Sequence, residues 1–302
     1  ECIVMTLNDA LNEFLFEKRI NGLDKKSVKN YHATLSLFVN AVGSDLAFKD
    51  VSFELVRNYI LNLLDSSLSR ATASSYIRNL KIFLRWIAEN YELPFDPLKI
   101  KVPKSPKKNV HIYSDSEILK IFSTVETSVP WITARNRAII ALMLDSGLRQ
   151  CEVCGLLKQD VDRENKVMKV TGKGAKDRMV PLGSVSSAFI DQYLDLCPFK
   201  KSKYVFLDRR GNFLSCNAVR LFVYRLERKL PFPFSSHKLR HNFATNFCID
   251  NINAKGDSCV YDLSVLMGHE SIETTKKYEH FAHELIAAKN NISHLDMTFK
   301  AL

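Results

Sequence analysis

The segment LMGHESIETTKKYEHF, residues 266–281, places a histidine directly after a glycine and a tyrosine further along. If the segment is helical, about two turns separate His269 from Tyr278. A tyrosine in such a position is more often a half-buried structural residue than a reactive one. Its role therefore depends on the polar residues that the rest of the chain supplies.

A second polar segment, HKLRHNFATNF, occupies residues 237–247. Two serines precede it as possible N-caps, so we expect a helix. Spacings of three and four then place His237, Arg240 and His241 on one face of that helix. The two histidines raise the alternative of a zinc site. We disfavour it because a lysine follows the first histidine, where the metalloprotease motif has a glutamate.

Two further strings carry basic residues. Arg149 lies in DSGLRQCEVCGL, where its guanidinium could enter a cleft or, alternatively, pair with Glu152 three residues later. Lys173 occupies the turn of TGKGAKDRMVPL, whose flanking residues predict a β-hairpin; the alternative is an ordinary solvated turn. The CxxC of the first string has no second pair of cysteines to complete a tetrahedral metal site.

The N-terminal part of the chain shows four apolar stripes with helical spacing, over residues 7–16, 28–42, 55–64 and 77–87. Short connections between them predict a four-helix domain over residues 1–98. The stretch PFDPLKIKVPKSPKKNV that follows is rich in proline and lysine, so it cannot form a helix or a central strand. We interpret residues 99–110 as a basic interdomain linker that could follow a phosphate backbone; a solvated spacer is the alternative.

The second predicted domain covers residues 111–302. It opens with a capping box, Ser114 and Glu117, and continues as a helix over 137–144 that ends at a Ser-Gly pair. Besides the hairpin, the run Tyr204–Leu207 is a candidate strand, and the remainder alternates helices with loops. The predicted fold class is mainly α: an all-α first domain and a mostly helical α+β second domain with a small antiparallel sheet.

The composition favours a partner that carries phosphate. The chain has 302 residues and a formal net charge of +10, which attracts anions at long range, nucleic acid above all. The first residues contain acidic side chains and no long apolar run, so we expect no signal peptide, no membrane span and a cytoplasmic location. The seven cysteines are expected to be reduced thiols.

Taken together, the four strings resemble the tyrosine recombinase and integrase family, particularly its compact bacterial Xer-like members. The resemblance covers nearly the whole chain and implies the DNA breaking-rejoining fold, with a SAM-like, core-binding first domain and a catalytic second domain. The segment between Arg240 and His269 is longer than in the common Xer pattern. Matching the family motifs residue by residue implies six catalytic positions: Arg149, Lys173, His237, Arg240, His269 and Tyr278.

The resemblance implies a reaction in which Tyr278 attacks a DNA phosphate and forms a 3′-phosphotyrosyl link. The two arginines would stabilise the negative charge on phosphorus, and the two histidines would donate hydrogen bonds or carry a proton. Lys173 would protonate the departing 5′ oxygen, and we expect the nearby cations to favour the phenolate form of the tyrosine. No metal and no cofactor are required.

The implied partner is a double-stranded DNA recombination site, bound by a homo-tetramer that exchanges strands through a Holliday junction. The C-terminal helix, with Leu285, Ile286 and Ile292, could pack on a neighbouring subunit or on its own domain. Whether the tyrosine attacks in its own subunit's site or in a neighbour's stays open. The predicted DNA contacts are Lys101, Lys104, Lys107, Lys108, Lys176 and Arg178.

Two other functions are compatible with parts of the pattern. A type IB topoisomerase uses similar chemistry but relaxes supercoils without exchanging partners. A DNA-binding protein that keeps the fold without catalysis is the other alternative. The short helical first domain argues against the former, and the full set of six residues argues against the latter.

Overall fold

The computed structural model describes residues 5–104, 111–172, 174 and 176–289. The chain forms two compact units, Glu1–Lys108 and Asn109–Leu302. Each unit is described by itself. None of the helices in these ranges combines the length and apolar character that crossing a lipid bilayer requires.

Four α-helices make up most of the described part of the first unit, as the apolar stripes predict. Polar residues cap all four: Thr6, Asp24, Ser52 and Ser69 each accept a hydrogen bond from a backbone N–H of the first turn. Their apolar faces enclose a core that contains Phe14, Phe38 and Phe83. The helices are α1 (Leu7–Ile20), α2 (Lys25–Val42), α3 (Phe53–Asp65) and α4 (Arg70–Asn90).

The start of the predicted linker packs against the first unit. Pro97–Lys99 forms a short 3-10 turn, and Ile100 is buried in the core of the first unit. Lys81 of α4 donates hydrogen bonds from Nζ to the carbonyl oxygens of Leu98, at 3.1 Å, and of Ile100, at 2.7 Å. The described start of this segment is therefore anchored on α4, a contact that its proline-rich composition did not predict.

Eight further helices and a small sheet make up the described part of the second unit. The predicted capping box is confirmed, because Ser114 and Glu117 cap each other's backbone groups at the start of the first of these helices. The Ser-Gly pair also ends its helix as predicted. The helices are α5 (Asp115–Thr124), α6 (Pro130–Asp145), α7 (Gln150–Gly155), α8 (Ser184–Leu196), α9 (Cys216–Glu227), α10 (Ser236–Lys255), α11 (Val260–Met267) and α12 (Glu273–Lys289).

The sheet is antiparallel, with strand order β1 (Val161–Asp162), β2 (Val167–Thr171) and β3 (Asp177–Pro181). The pairing of β2 with β3 confirms the predicted hairpin. The candidate strand Tyr204–Leu207 is wrong. Its ends make isolated bridges, to Leu157 and to Phe213, and its apolar residues are buried in the core without a continuous strand partner.

The described part of the second unit contains two hydrophobic cores. The larger one surrounds α6, α8 and the sheet. The smaller one lies among α10, α11 and α12 and includes Phe243, Met267 and Tyr278. Because α10 and α12 carry several of the residues singled out by the motifs, this smaller core fixes their relative positions.

Candidate active site

Helix α10 presents three of the polar residues of the second motif. Ser235 is its N-cap, accepting a hydrogen bond at Oγ from the backbone N–H of Lys238 at 3.2 Å. Consecutive residues of a helix point about 100° apart. Arg240 and His241 therefore face different neighbours, while His237, one turn earlier, is exposed.

Arg240 is buried and held by two carbonyl groups. Its Nη1 donates to the carbonyl oxygen of Gly147, and its Nη2 donates to that of Met267. Burial, helped by the nearby charge of Arg149, lowers the pKa of Arg240 to about 10. The guanidinium thus remains charged at neutral pH and is fixed in direction before any anion arrives.

Arg149 and Arg178 share one buried carboxylate, that of Glu152. Arg149 Nη1 lies 2.9 Å from Oε1, and the backbone N–H of Arg149 donates to Oε2 at 2.7 Å. Arg178 donates to both carboxylate oxygens, at 2.7 and 2.9 Å. Arg149 also donates from Nη2 to the carbonyl oxygen of Gly268 at 3.0 Å. Arg149 therefore pairs with Glu152 and also directs its own guanidinium toward the loop that contains His269.

Hydrogen bonds keep Glu152 ionised. Burial favours the neutral acid, but the bonds from Arg178 and from the backbone of Arg149 outweigh it and hold the pKa of Glu152 below its ordinary value. Arg178 makes a further bond from Nε to the carbonyl oxygen of Leu266, at 2.7 Å. With 9% of its side chain exposed, Arg178 is mostly buried against Glu152.

His269 connects Arg240 with α12. Its Nε2 lies 3.4 Å from Nη2 of Arg240, and its Nδ1 lies 2.7 Å from Oγ1 of Thr275. Because a guanidinium can only donate, Nε2 is the acceptor, and Nδ1 of the neutral ring carries the hydrogen and donates to the threonine. Burial, followed by the charges of Arg240 and Arg149, lowers the pKa of His269 to about 4. The ring is therefore neutral at pH 7.

Tyr278 is almost entirely buried, with 2% of the residue exposed. Its hydroxyl oxygen lies 2.6 Å from Nδ1 of His241, and its ring stacks on that of His269 with centroids 6.4 Å apart. The Nζ atom of Lys277 lies 4.8 Å from the centre of the tyrosine ring.

The protonation of the tyrosine is dominated by burial. Burial raises the pKa of Tyr278 to about 12, and the opposing effects of Arg240 and Arg149 are smaller. The two arginines thus favour the phenolate, as expected, but burial favours the neutral phenol more strongly. The hydroxyl is protonated, and a group that takes up its proton is needed if the oxygen is to attack.

A solvent-open cavity of about 740 Å³ lies beside Arg149 and His269, and Lys176 and Arg178 also line it. The lining carries three basic side chains and also the carboxylates of Asp177 and Glu270, and the cavity is bounded by the hairpin on one side and by the loop between α11 and α12 on the other. It offers space for an anionic backbone next to the arginines. Lys173, at the hairpin turn, lies outside the described residues.

The predicted DNA contacts fall into three groups. Lys101, Lys104 and Lys176 are exposed, and Arg178 is held inside by Glu152. The remaining two, Lys107 and Lys108, lie outside the described residues. Among the described residues, no group of three or more histidine, cysteine or acidic side chains is arranged to hold a metal ion.

The roles of three residues of the site were not predicted from the sequence. Glu152 was considered as a partner of Arg149, but its bond to Arg178 was not foreseen. His241 was placed on the face of His237 and not opposite the tyrosine, and Thr275 was not singled out. One signal was available for His241: it follows Arg240 directly, in the same motif.

Comparison with known sequence families gives two matches that together span most of the chain. Residues 113–284 match the Phage integrase family, and residues 6–97 match the Phage integrase SAM-like domain. The first match alone covers more than half of the chain. This chain belongs to the phage integrase family. It is a tyrosine recombinase, an enzyme that cleaves and rejoins DNA strands at specific sites.

Curated relatives agree in length as well as in sequence. Tyrosine recombinase XerC of Halalkalibacterium halodurans is 34% identical over 251 residues, which cover 78% of this chain and 79% of that protein. Tyrosine recombinase XerC of Bacillus pumilus is 29% identical over 274 residues, 87% of each chain. Tyrosine recombinase XerD of Listeria innocua is 25% identical over 288 residues, 91% of this chain and 94% of that protein.

Solved structures with the same fold include two integrases bound to DNA. The Tn1549 transposon integrase in complex with a circular intermediate DNA superposes with a TM-score of 0.74 at 18% identity, covering 91% of this chain and 95% of that chain. The lambda integrase tetramer bound to a Holliday junction gives a TM-score of 0.73 at 18% identity, covering 92% and 78%. At these identities the likeness concerns the fold.

Proposed function

We propose that Tyr278 is the nucleophile of this recombinase and that Arg149, Arg240, His237, His269 and Lys173 complete its active site. The observation that carries the proposal is the convergence of separate segments on one place. Arg149 contacts Gly268, Arg240 contacts His269, and His269 stacks on the tyrosine. Residues far apart in the sequence thus form one connected set of contacts.

The two arginines suit a phosphodiester. Attack at phosphorus increases the negative charge on the nonbridging oxygens, and fixed cations stabilise that charge more in the transition state than in the ground state. Each guanidinium offers several N–H donors in one plane, which match phosphate oxygens. Carbonyl and carboxylate partners already hold Arg149 and Arg240, so little reorganisation is needed when the phosphate binds.

The chemical step conserves the energy of the phosphodiester. The oxygen of Tyr278 forms a bond to phosphorus while the bond to the 5′ oxygen breaks, and Lys173 donates a proton to that oxygen. The product is a 3′-phosphotyrosyl link with a free 5′ hydroxyl group. A 5′ hydroxyl from a second strand then reverses the reaction, so rejoining requires no ATP.

We also propose that basic residues other than Arg149 and Arg240 contact the DNA. Four lysines of the predicted linker, Lys101, Lys104, Lys107 and Lys108, would bind backbone phosphates together with Lys176. Such contacts position a duplex without selecting its sequence. For Arg178 we propose a different role from the predicted one. Its three inward hydrogen bonds, to Glu152 and to Leu266, orient the carboxylate that in turn holds Arg149.

Strand exchange requires more than one subunit. We propose a homo-tetramer on paired DNA sites that acts in the cytoplasm, supported by the fold shared with a lambda integrase solved as a tetramer on a Holliday junction. Leu285 and Ile286 of α12 are half-buried within the chain, whereas Ile292 lies outside the described residues. The contact between subunits through the C-terminal helix therefore stays a proposal.

A covalent-trapping experiment tests the assignment of Tyr278. A binding site is first selected from random-sequence duplexes, and nicked versions of that duplex are then incubated with the full-length protein. A nick beside the cleavage position lets the short 5′ fragment diffuse away, so the covalent adduct accumulates on a denaturing gel. We expect the wild type to form the adduct and Tyr278→Phe to form none, because the nucleophilic oxygen is absent.

Tyr261→Phe is the matched control, since Tyr261 lies in the same unit and is 70% exposed. It should form the adduct at the wild-type rate. An adduct from Tyr278→Phe, or none from the wild type on any nicked duplex, would contradict the proposal. Relaxation of supercoiled plasmid without strand transfer between two sites would instead indicate a topoisomerase.

A further inference from the structure

His241 is the side chain that contacts the reacting atom of the proposed nucleophile. Its Nδ1 lies 2.6 Å from the hydroxyl oxygen of Tyr278, and the two rings are inclined at 45° with centroids 5.3 Å apart. This is a short hydrogen bond between a phenol and an imidazole. The position follows from α10, which turns Arg240 toward carbonyl groups and turns the next residue toward α12.

The charged and titratable groups around His241 keep its ring neutral. Burial comes first, followed by the charges of Lys277 on α12 and of His237 and Arg240 on α10, and together they lower its pKa to about 4. A neutral imidazole has one nitrogen with an available lone pair. With the hydrogen on Nε2, Nδ1 accepts the hydrogen bond that the tyrosine hydroxyl donates.

The other two histidines of the site are less suited to receive this proton. Both ring nitrogens of His269 are engaged, one with Arg240 and one with Thr275. His237 is exposed, and its ring makes no hydrogen bond to the tyrosine among the contacts of the described residues. His241 is therefore the histidine with a nitrogen directed at the hydroxyl.

We propose that His241 is a catalytic residue that accepts the proton of Tyr278 as the tyrosine oxygen attacks phosphorus. This inference rests on the proposed function of the tyrosine. As the O–H bond of the phenol breaks, an N–H bond forms at Nδ1, an O–P bond forms, and the bond from phosphorus to the 5′ oxygen breaks. In the rejoining step the imidazolium returns the same proton to the phenolate that leaves phosphorus.

The proton affinities explain why the transfer accompanies the attack. In the structure the phenol holds its proton far more tightly than the imidazole would, because the pKa of Tyr278 is about 12 and that of His241 about 4. During attack the phenolic oxygen gives its electron pair to phosphorus, so its proton becomes acidic. A bound phosphate also offsets the charges of Arg240 and Lys277 and thereby raises the proton affinity of the imidazole.

Three substitutions separate proton transfer from positioning. In His241→Asn the amide oxygen stands close to the place of Nδ1 and accepts the hydrogen bond but cannot take the proton. His241→Leu removes both abilities, and His241→Ala leaves space for free imidazole. Cleavage of the nicked duplex is measured under single-turnover conditions from pH 6 to pH 9.5, with DNA binding and thermal unfolding of each variant measured in parallel.

We expect His241→Asn and His241→Leu to cleave about 10²- to 10⁴-fold more slowly than the wild type at pH 7, the usual contribution of a general base. Their rates should rise with pH as hydroxide replaces the imidazole, and free imidazole should partly restore His241→Ala. His280→Ala is the control, because the side chain of His280 is 67% exposed, and it should match the wild type.

Other results overturn the inference while leaving the nucleophile in place. If His241→Asn cleaves at the wild-type rate and His241→Leu does not, the histidine only positions the hydroxyl. If all the variants cleave as fast as the wild type or faster, His241 takes no proton. Loss of rate with an unchanged pH profile and no imidazole rescue also contradicts proton transfer. Absence of any adduct from the wild type, in contrast, would refute the proposed function itself.

Discussion

At the scale of single residues, the carboxylate of Glu152 orients two arginines. It is 5% exposed as a residue and receives hydrogen bonds from Arg149 and Arg178. A buried carboxylate is costly unless it is fully paired, and the pairing here is bidentate on one side. The orientation of the arginines in the proposed phosphate site therefore depends on a residue that need not contact DNA.

Replacing this carboxylate tests that dependence. In Glu152→Gln the neutral amide presents an NH₂ group to guanidinium donors and leaves Arg178 buried without a counter-charge. We expect the free energy of unfolding to fall by about 3–5 kcal/mol and the rate of adduct formation to fall as Arg149 loses its orientation. Urea unfolding and the trapping assay measure the two effects. Glu164→Gln, at an exposed position, should change neither, and unchanged stability in Glu152→Gln would refute the argument.

The two half-buried imidazoles make stability depend on pH. His241 and His269 have a pKa of about 4 in the folded protein, whereas a histidine in the unfolded chain has a pKa near 6.5. Between these values the unfolded chain binds more protons, so stability is complete above about pH 6.5 and declines as the pH falls toward 4. Partial exposure of both rings weakens the effect to about 0.7 kcal/mol per pH unit for each histidine.

Urea unfolding at pH 6.5, 5.75 and 5.0 checks this expectation. Trp131 lies on α6 in the second unit, so its fluorescence in a Trp86→Phe background reports unfolding of that unit. The stability of the parent should decline over this range, and His269→Asn should show a smaller slope. His280→Asn should keep the parent's slope. A parent protein equally stable at all three values would show that the histidines are not held neutral by the fold.

At the scale of secondary-structure elements, the turn between α6 and α7 aims Arg240. Gly147 has a φ of +60°, and a Cβ atom added there would overlap the ring of Phe243. Its carbonyl oxygen accepts a hydrogen bond from the arginine. Glycine is thus required both by the left-handed backbone conformation and by the close approach of α10.

Gly147→Ala should therefore be destabilising for two separable reasons. Backbone strain costs about 1–2 kcal/mol, and the overlap with Phe243 adds about 1–3 kcal/mol. Gly256→Ala is the matched control, because Gly256 has a φ of +76° with nothing within 4 Å of the added atom. Urea unfolding should show a clearly larger loss of unfolding free energy for Gly147→Ala than for Gly256→Ala. Gly147→Ala should also form the adduct more slowly. Equal losses for the two variants would mean that the packing against Phe243 is unimportant.

Whether a secondary-structure element could be predicted from the sequence depends on how far apart in the chain its interacting residues lie. The apolar stripe of α4 and the capping box of Ser114 are local patterns, so their helices were predicted. The run Tyr204–Leu207 was misassigned because an apolar run gives no information on whether a strand partner exists. The hydrogen bonds that Arg178 donates to Glu152 and that Tyr278 donates to His241 join residues far apart in sequence, so they could not be predicted without the fold.

At the scale of the whole molecule, charge governs the encounter with DNA. The net charge of +10 attracts a polyanion, and each lysine that neutralises a phosphate releases a counterion from the duplex. Lys101 and Lys104 follow Ile100, which the core of the first unit holds in place. These exposed lysines are therefore carried on an anchored segment, where binding a phosphate costs less conformational entropy than on a free chain.

The salt dependence of DNA binding gives the number of such contacts. We expect the affinity for the selected duplex to fall steeply with salt, and the double variant Lys101→Gln/Lys104→Gln to reduce the slope of log K against log salt by about two. These lysines would bind phosphate but take no part in the chemical step. The same variant should therefore form the adduct at the wild-type rate once protein saturates the DNA. Lys120→Gln, an exposed position on α5, should leave the slope unchanged. A wild-type slope in the double variant would show that the linker lysines do not contact phosphate, whereas a lost adduct at saturation would assign them to the chemistry.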